Sequence, residues 1–116
     1  MDVNILTREI ETFADVDPEM QITTMLVFLF IAQRGVCTQK DVEIGLGLTN
    51  ATASRNVSYW CDHKAFNVEG IGFVERTEDP RDRRYKLLRL TKAGMKFYDK
   101  VKADKHGKTA KRQVAS

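Results

Sequence analysis

Apolar residues recur at helical spacing in two N-terminal stretches of the chain. Leu6, Ile10 and Phe13 share one face of a helix predicted over Val3 to Phe13. Asp15-Val16-Asp17-Pro18 breaks it. Asp17 is placed to cap a second helix, and Pro18 suits that helix's first position, where no amide donor is needed. The second helix is expected to run to about Gln33 and stop near Gly35. Ile22, Met25, Leu26, Leu29 and Phe30 form its stripe, while Val27, Phe28 and Ile31 make it apolar nearly all round. Such a helix needs cover on more than one side, from the first helix or from a partner subunit.

The pattern then shortens. Thr38 is set to cap a third helix, with Asp41 at the acidic position of its first turn and Val42 and Leu46 facing inward. Gly47 allows a tight turn, after which Thr49 caps a fourth helix. Ala53, Val57 and Trp60, with Cys61 or Lys64, line the inner side of that helix. Its other side presents Asn50, Ala51, Arg55 and Ser58, with Thr52 and Ser54 at the margins. Short side chains there would let the helix enter a major groove without clash. Further on, Gly72 to Arg76 alternates as a strand and Tyr85 to Leu90 answers it. Between them, Glu78 to Arg84 is turn chemistry carrying Arg81, Arg83 and Arg84. Thr91 caps a last helix, in which Met95, Tyr98 and Val101 pack inward.

Charge sharpens the picture. Residues 1–74 carry five basic and ten acidic side chains, whereas residues 75–116 carry fourteen basic and six acidic, so a net +3 hides a basic C-terminal half. That asymmetry points to a polyanionic partner. From Asp104 to Ser116 the chain is Lys-rich and poor in apolar residues, which predicts a disordered tail. Hydrophobic and charged fractions of 42% and 30% are otherwise those of a globular domain. The longest apolar run, Met25 to Ala32, is too short to span a bilayer, and the acidic N-terminus has no apolar signal core, which points to the cytoplasm. Cys37, Cys61, His63 and His106 fit no zinc spacing, so no metal or cofactor is expected, and both thiols are expected to be buried. No catalytic carboxylate pair, phosphate-binding Gly loop or nucleophile–base arrangement is present, which argues against an enzyme.

Thr38-Gln39, Asp41-Val42, Leu46-Gly47-Leu48-Thr49, Thr52-Ala53-Ser54-Arg55 and Val57 together resemble the helix-turn-helix of the MarR-type winged-helix regulators. Gly72 to Arg76, Asp79 to Arg84, Leu88, Leu90-Thr91 and Ala93-Gly94 resemble that family's strand, wing and post-wing helix. The resemblance implies a mainly α fold with a small β-hairpin wing, a winged helix-turn-helix. It also implies a homodimeric regulator of transcription on double-stranded DNA, with the fourth helix in the major groove and the wing in the adjoining minor groove. On this reading residues 1–17 are a helical dimerisation element, 18–103 the DNA-binding domain and 104–116 the tail.

The expected DNA contacts are Thr49, Asn50, Ala51, Thr52, Ser54, Arg55 and Ser58 of the helix, with Arg81, Arg83 and Arg84 of the wing. Asp79 or Asp82 would brace one of these arginines. A solvated helix face usually carries Lys and Glu, and the fourth helix has neither before Lys64. Arg55 is the first choice for a base or phosphate contact. Trp60 belongs to the core by its register with Val57. The connection from Asp62 to Ile71 is longer than the family's, and would extend the helix or add a loop beside the DNA. Two other functions fit the same fold: a module binding a protein of the transcription machinery, and a sensor whose DNA release responds to oxidant or ligand.

Overall fold

The computed structural model describes residues 3–61, 63–65 and 68–103. Its elements run α1 (Val3–Val16), α2 (Ile22–Arg34), β1 (Val36–Thr38), α3 (Gln39–Leu46), α4 (Asn50–Trp60), β2 (His63–Ala65), β3 (Val68–Glu69), β4 (Val74–Asp79), β5 (Asp82–Leu90) and α5 (Lys92–Ala103). A winged helix-turn-helix is the result, as the sequence pattern predicts. The chain divides into two compact units, Gln21–Met95 and the flanking Met1–Met20 with Lys96–Ser116.

The larger unit holds the winged helix. Its three-stranded antiparallel sheet has the order β1-β5-β4, with Cys37 opposite Leu88 and Val74 opposite Leu90. Behind it lies an aromatic core. Trp60 is fully buried, its ring centroid 4.8 Å from Phe28 and 6.0 Å from Phe73. The indole Nε1 donates to the Thr24 carbonyl at 2.8 Å, which lets a polar atom sit in that core without losing its hydrogen bond. Thr24 Oγ1 donates in turn to Asn56 Oδ1 at 2.6 Å, and Asn56 Nδ2 to the Thr52 carbonyl at 2.8 Å. These bonds lock α2 against α4.

The helix-turn-helix is set by its caps. Thr38 and Asp41 form a reciprocal capping box, Thr38 Oγ1 accepting from the Asp41 amide and Asp41 Oδ2 from the Thr38 amide. Gly47 closes α3 at φ +65°, a left-handed conformation that suits glycine. Thr49 accepts from the Thr52 amide at 3.2 Å and starts α4.

Several boundaries and faces differ from the sequence reading. Asp17 does not cap α2. Its Oδ1 accepts from the Glu19 amide at 3.0 Å and its carbonyl from the Met20 amide, so Asp17-Pro18 makes a turn and the helix begins at Ile22. The buried face of α2 is Thr24, Val27, Phe28 and Ile31, while Ile22 and Leu26 are exposed. In α5 the buried positions are Gly94, Phe97 and Val101, and Met95 is exposed. Phe97 meets Phe13 of α1 edge-on at 5.3 Å, both within the smaller unit. α4 ends at Trp60, so Lys64 falls in β2 instead of on the helix.

The lengthened connection neither extends α4 nor stays an open loop. β2 and β3 pair as a small antiparallel ribbon, His63 opposite Glu69 and Ala65 opposite Val68. The chain then returns to the end of α4, where the amides of Ile71, Gly72 and Phe73 donate to the carbonyls of Tyr59, Cys61 and Trp60. Carbonyls at the C-terminal end of a helix lack intrahelical partners, and these bonds satisfy them. The tail expected at 104–116 lies outside the described residues.

Candidate nucleic-acid interface

α4 presents the residues singled out in the sequence as follows. Thr49, Asn50, Ala51 and Arg55 are exposed, and Thr52, Ser54 and Ser58 are half-buried. Ala53, Val57 and Trp60 are fully buried on the opposite side. The hydroxyls of Thr49 and Thr52 pair at 3.0 Å. Asn50 Nδ2 donates to Glu43 Oε2 at 3.1 Å. Among the described residues nothing hydrogen-bonds the Arg55 guanidinium, which stands in solvent.

The wing is tighter than the sequence suggests. β4 and β5 extend almost to its end, with a two-residue turn at Pro80-Arg81 in place of a turn spanning Glu78 to Arg84. Strand pairing reaches Asp79 opposite Asp82, with a register shift between Glu78 and Asp79. Each wing arginine has its own carboxylate. Asp79 Oδ1 accepts from the Arg81 amide at 2.9 Å and from Arg81 Nε at 3.4 Å. Asp82 holds Arg84 through two oxygens, Nε–Oδ1 at 3.0 Å and Nη2–Oδ2 at 2.7 Å. Arg83 Nε lies 3.9 Å from Glu78 Oε2, and Lys86 Nζ 3.3 Å from Glu78 Oε1.

Hydrogen bonds from the Arg81 amide and guanidinium hold the Asp79 carboxyl below the usual carboxylate range. The Arg84 side chain and amide do the same for Asp82. Exposed pairs of this kind are worth about 0–1 kcal/mol, so a phosphate can displace the carboxylate. Arg81 and Arg83 have side chains 88% and 89% exposed, and among the described residues no hydrogen bond reaches their terminal amino groups. They are the wing cations with donors to offer; Arg84 is the most fully engaged.

Sequence reasoning missed Arg76. Its Nη2 donates to Ser58 Oγ at 2.9 Å, joining β4 to the polar side of α4 and adding an exposed cation beside it. A strand arginine offers no local signal for a contact 18 residues away.

Cys37 faces the sheet core in β1, and neither it nor Cys61 is in a disulfide. Burial, reinforced by the Asp41 carboxylate and opposed by Arg34, pushes the Cys37 thiol from 9.0 up to about 11. The thiolate is the reactive form. Alkylation of native Cys37 at pH 8 is therefore expected to run roughly a hundredfold slower than after unfolding. A labelling time course read by mass spectrometry checks this, and equal rates in the two states would contradict it. The native state favours the protonated thiol, so this group's stabilising contribution is intact below 9.0 and lost as pH climbs to about 11.

Among the described residues no cluster of His, Cys, Asp or Glu could hold a metal ion, and no helix is long and apolar enough to cross a membrane.

Three-helix packing with a helix-turn-helix and a β-hairpin wing defines the winged-helix class. Among solved structures, the transcriptional regulator Tm0710 from Thermotoga maritima matches with a TM-score of 0.73 at 19% identity, covering 96% of this chain and 71% of that one. A mutant of MepR from S. aureus, bound to an oligodeoxyribonucleotide, matches at 0.70 and 17% identity, covering 97% and 75%. A mutant of MarR from E. coli, complexed with operator DNA, matches at 0.63 and 14%, covering 93% and 73%. The fold is that of the MarR-type winged-helix regulators. No family model matches the chain, and no curated protein does.

Proposed function

We propose that this protein is a sequence-specific regulator of transcription that binds double-stranded DNA as a homodimer in the cytoplasm. The observation that carries this reading is the pairing of two features on one fold. α4 offers an outward face of short polar side chains with Arg55 at its centre, and the wing offers Arg81 and Arg83 with unengaged donors. α4 reads base edges in the major groove through Asn50, Ala51, Thr52, Ser54, Arg55 and Ser58, and Thr49 contacts phosphate near the helix start. Arg81, Arg83 and Arg84 serve the adjoining minor groove and its phosphates, with Asp79 and Asp82 as braces. The MepR and MarR structures of this fold hold DNA, which supports the assignment. The protein acts by binding, and no catalytic step is assigned to it.

Dimerisation falls to α1, which leaves Val3, Leu6 and Ile10 exposed at helical spacing. Two half-sites about one helical turn apart are then expected.

Duplex titration across a salt series, beside sedimentation, tests the reading. Affinity should fall steeply with salt from a dimer. In an Arg55→Ala, Arg83→Ala double variant the slope of log affinity against log salt should flatten by about 2, since each lost phosphate contact removes about 1. Salt-insensitive affinity, or a double variant that binds as the parent does, would defeat the DNA assignment. A stable monomer that binds no duplex would point instead to a protein of the transcription machinery as partner.

A further inference from the structure

The outward face of α4 contains one side chain whose orientation is set by a carboxylate of the preceding helix. Glu43 lies in α3 with 13% of its side chain exposed. Its Oε2 accepts from Gln39 Nε2 at 3.3 Å and from Asn50 Nδ2 at 3.1 Å, and its Oε1 lies 3.9 Å from Lys40 Nζ. Asn50 is the first residue of α4 and is exposed.

The chemistry of the pair fixes the amide. An ionised carboxylate only accepts hydrogen bonds, whereas an asparagine amide has an accepting oxygen at one end and a donating nitrogen at the other. The nitrogen must face Glu43, because the reverse arrangement would set oxygen against oxygen and forfeit a charge-assisted bond. Asn50 Oδ1 is thereby turned away from the carboxylate and toward whatever lies along α4.

In a major groove that orientation discriminates. Adenine and cytosine offer exocyclic amino groups, N6 and N4, that donate to a carbonyl oxygen. Guanine and thymine carry keto oxygens at the corresponding edges and offer Oδ1 no donor. We infer that Glu43 is a positioning residue for sequence recognition. By holding the Asn50 amide it makes α4 select an amino-bearing base, adenine or cytosine, over guanine or thymine at one position of each half-site. This inference rests on the proposed reading of α4 as the DNA-reading helix.

The test is selection from a random duplex library, followed by titration of the selected sites, with the parent protein, Asn50→Ala, Glu43→Ala and Glu43→Gln. Glutamine has nearly the size of glutamate but can offer Asn50 either a donor or an acceptor, so it frees the amide while keeping the packing. Thermal melting confirms that each variant is folded. The parent should favour adenine or cytosine at one position by roughly tenfold or more. Asn50→Ala should lose that preference and leave the other positions intact. Glu43→Gln and Glu43→Ala should accept all four bases at that position within about threefold, again without change elsewhere.

The inference is overturned if the Asn50-dependent position favours guanine or thymine, or if both Glu43 variants keep the amino preference. Loss of affinity for all sequences alike, with every preference preserved, would also overturn it, since that is the signature of a merely structural Glu43. Selective binding by the parent with no Asn50-dependent position sinks the inference alone. Failure of the parent to bind any duplex sinks the reading of α4 and takes the inference with it.

Discussion

Trp60→Ala is expected to lower folding stability by about 3–5 kcal/mol, the range for emptying a buried aromatic site. The indole is fully buried between Phe28 and Phe73, and its Nε1 bonds the Thr24 carbonyl of α2. Removing it leaves a void at the junction of α2, α4 and the entry to the wing. Against a total of about 5–15 kcal/mol for a small domain, that loss is large. Urea denaturation followed by far-UV circular dichroism is the suitable measurement, because Trp60 is the one tryptophan and its fluorescence goes with it. A loss below about 1 kcal/mol would mean the site collapses around the missing ring and does not organise the fold. Trp60→Phe separates the two contributions, since it keeps a ring but removes the donor to Thr24.

Gly94→Ala sets two effects of opposite sign against each other. Helix propensity favours alanine over glycine by about 1 kcal/mol inside a helix. Here, however, a Cβ on Gly94 would fall on the backbone carbonyl of Phe73, which has no room to yield as a flexible side chain would. That carbonyl already accepts from the Thr91 amide at 3.0 Å, while Thr91 Oγ1 donates to the Gly72 carbonyl at 2.8 Å and accepts from the Gly94 amide. The first turn of α5 is thus tied to the approach to β4. Relief of the clash must move one from the other, at a cost of about 1–3 kcal/mol by the experience of overpacked interiors. The melting temperature should therefore fall. A rise would show that propensity prevails and that the two backbones can separate freely.

Where a side chain acts on its own neighbourhood, the sequence announced it. Thr38 with Asp41, and Thr49 ahead of α4, are capping arrangements whose partners lie within three residues, and both form. The inner face of α4 was legible because Ala53, Val57 and Trp60 alternate with short polar residues. Legibility failed where a distant partner decides. α2 is apolar nearly all round, so its own pattern cannot select a face. Thr24 of α2 is buried because Asn56 and Trp60 of α4 bond it, which put a polar residue on the face that the apolar stripe seemed to exclude. β1 is three residues long, too short to show alternation, and exists through its pairing with β5. In α5 the inward register is fixed by Gly94 against Phe73 and by Phe97 against Phe13, contacts that no local spacing encodes.

In the candidate site the balance is similar. The residue types of α4 and the wing stood out by composition. Their mutual arrangement did not: Glu43 on Asn50, Arg76 on Ser58, and the division of the wing arginines between Asp79, Glu78 and Asp82 are all properties of the folded chain.

The ribbon of β2 and β3 leaves the domain at Cys61 and rejoins it through the bonds from Ile71, Gly72 and Phe73 to the end of α4. Its two feet are stapled to the same helix terminus, so its length is uncoupled from the placement of α4 and the wing. The chain thereby contains a graft point. Sequence can be lengthened, shortened or exchanged between the feet while the two groove-reading elements hold their spacing, and a fluorophore or affinity tag placed there would report on the complex without entering it.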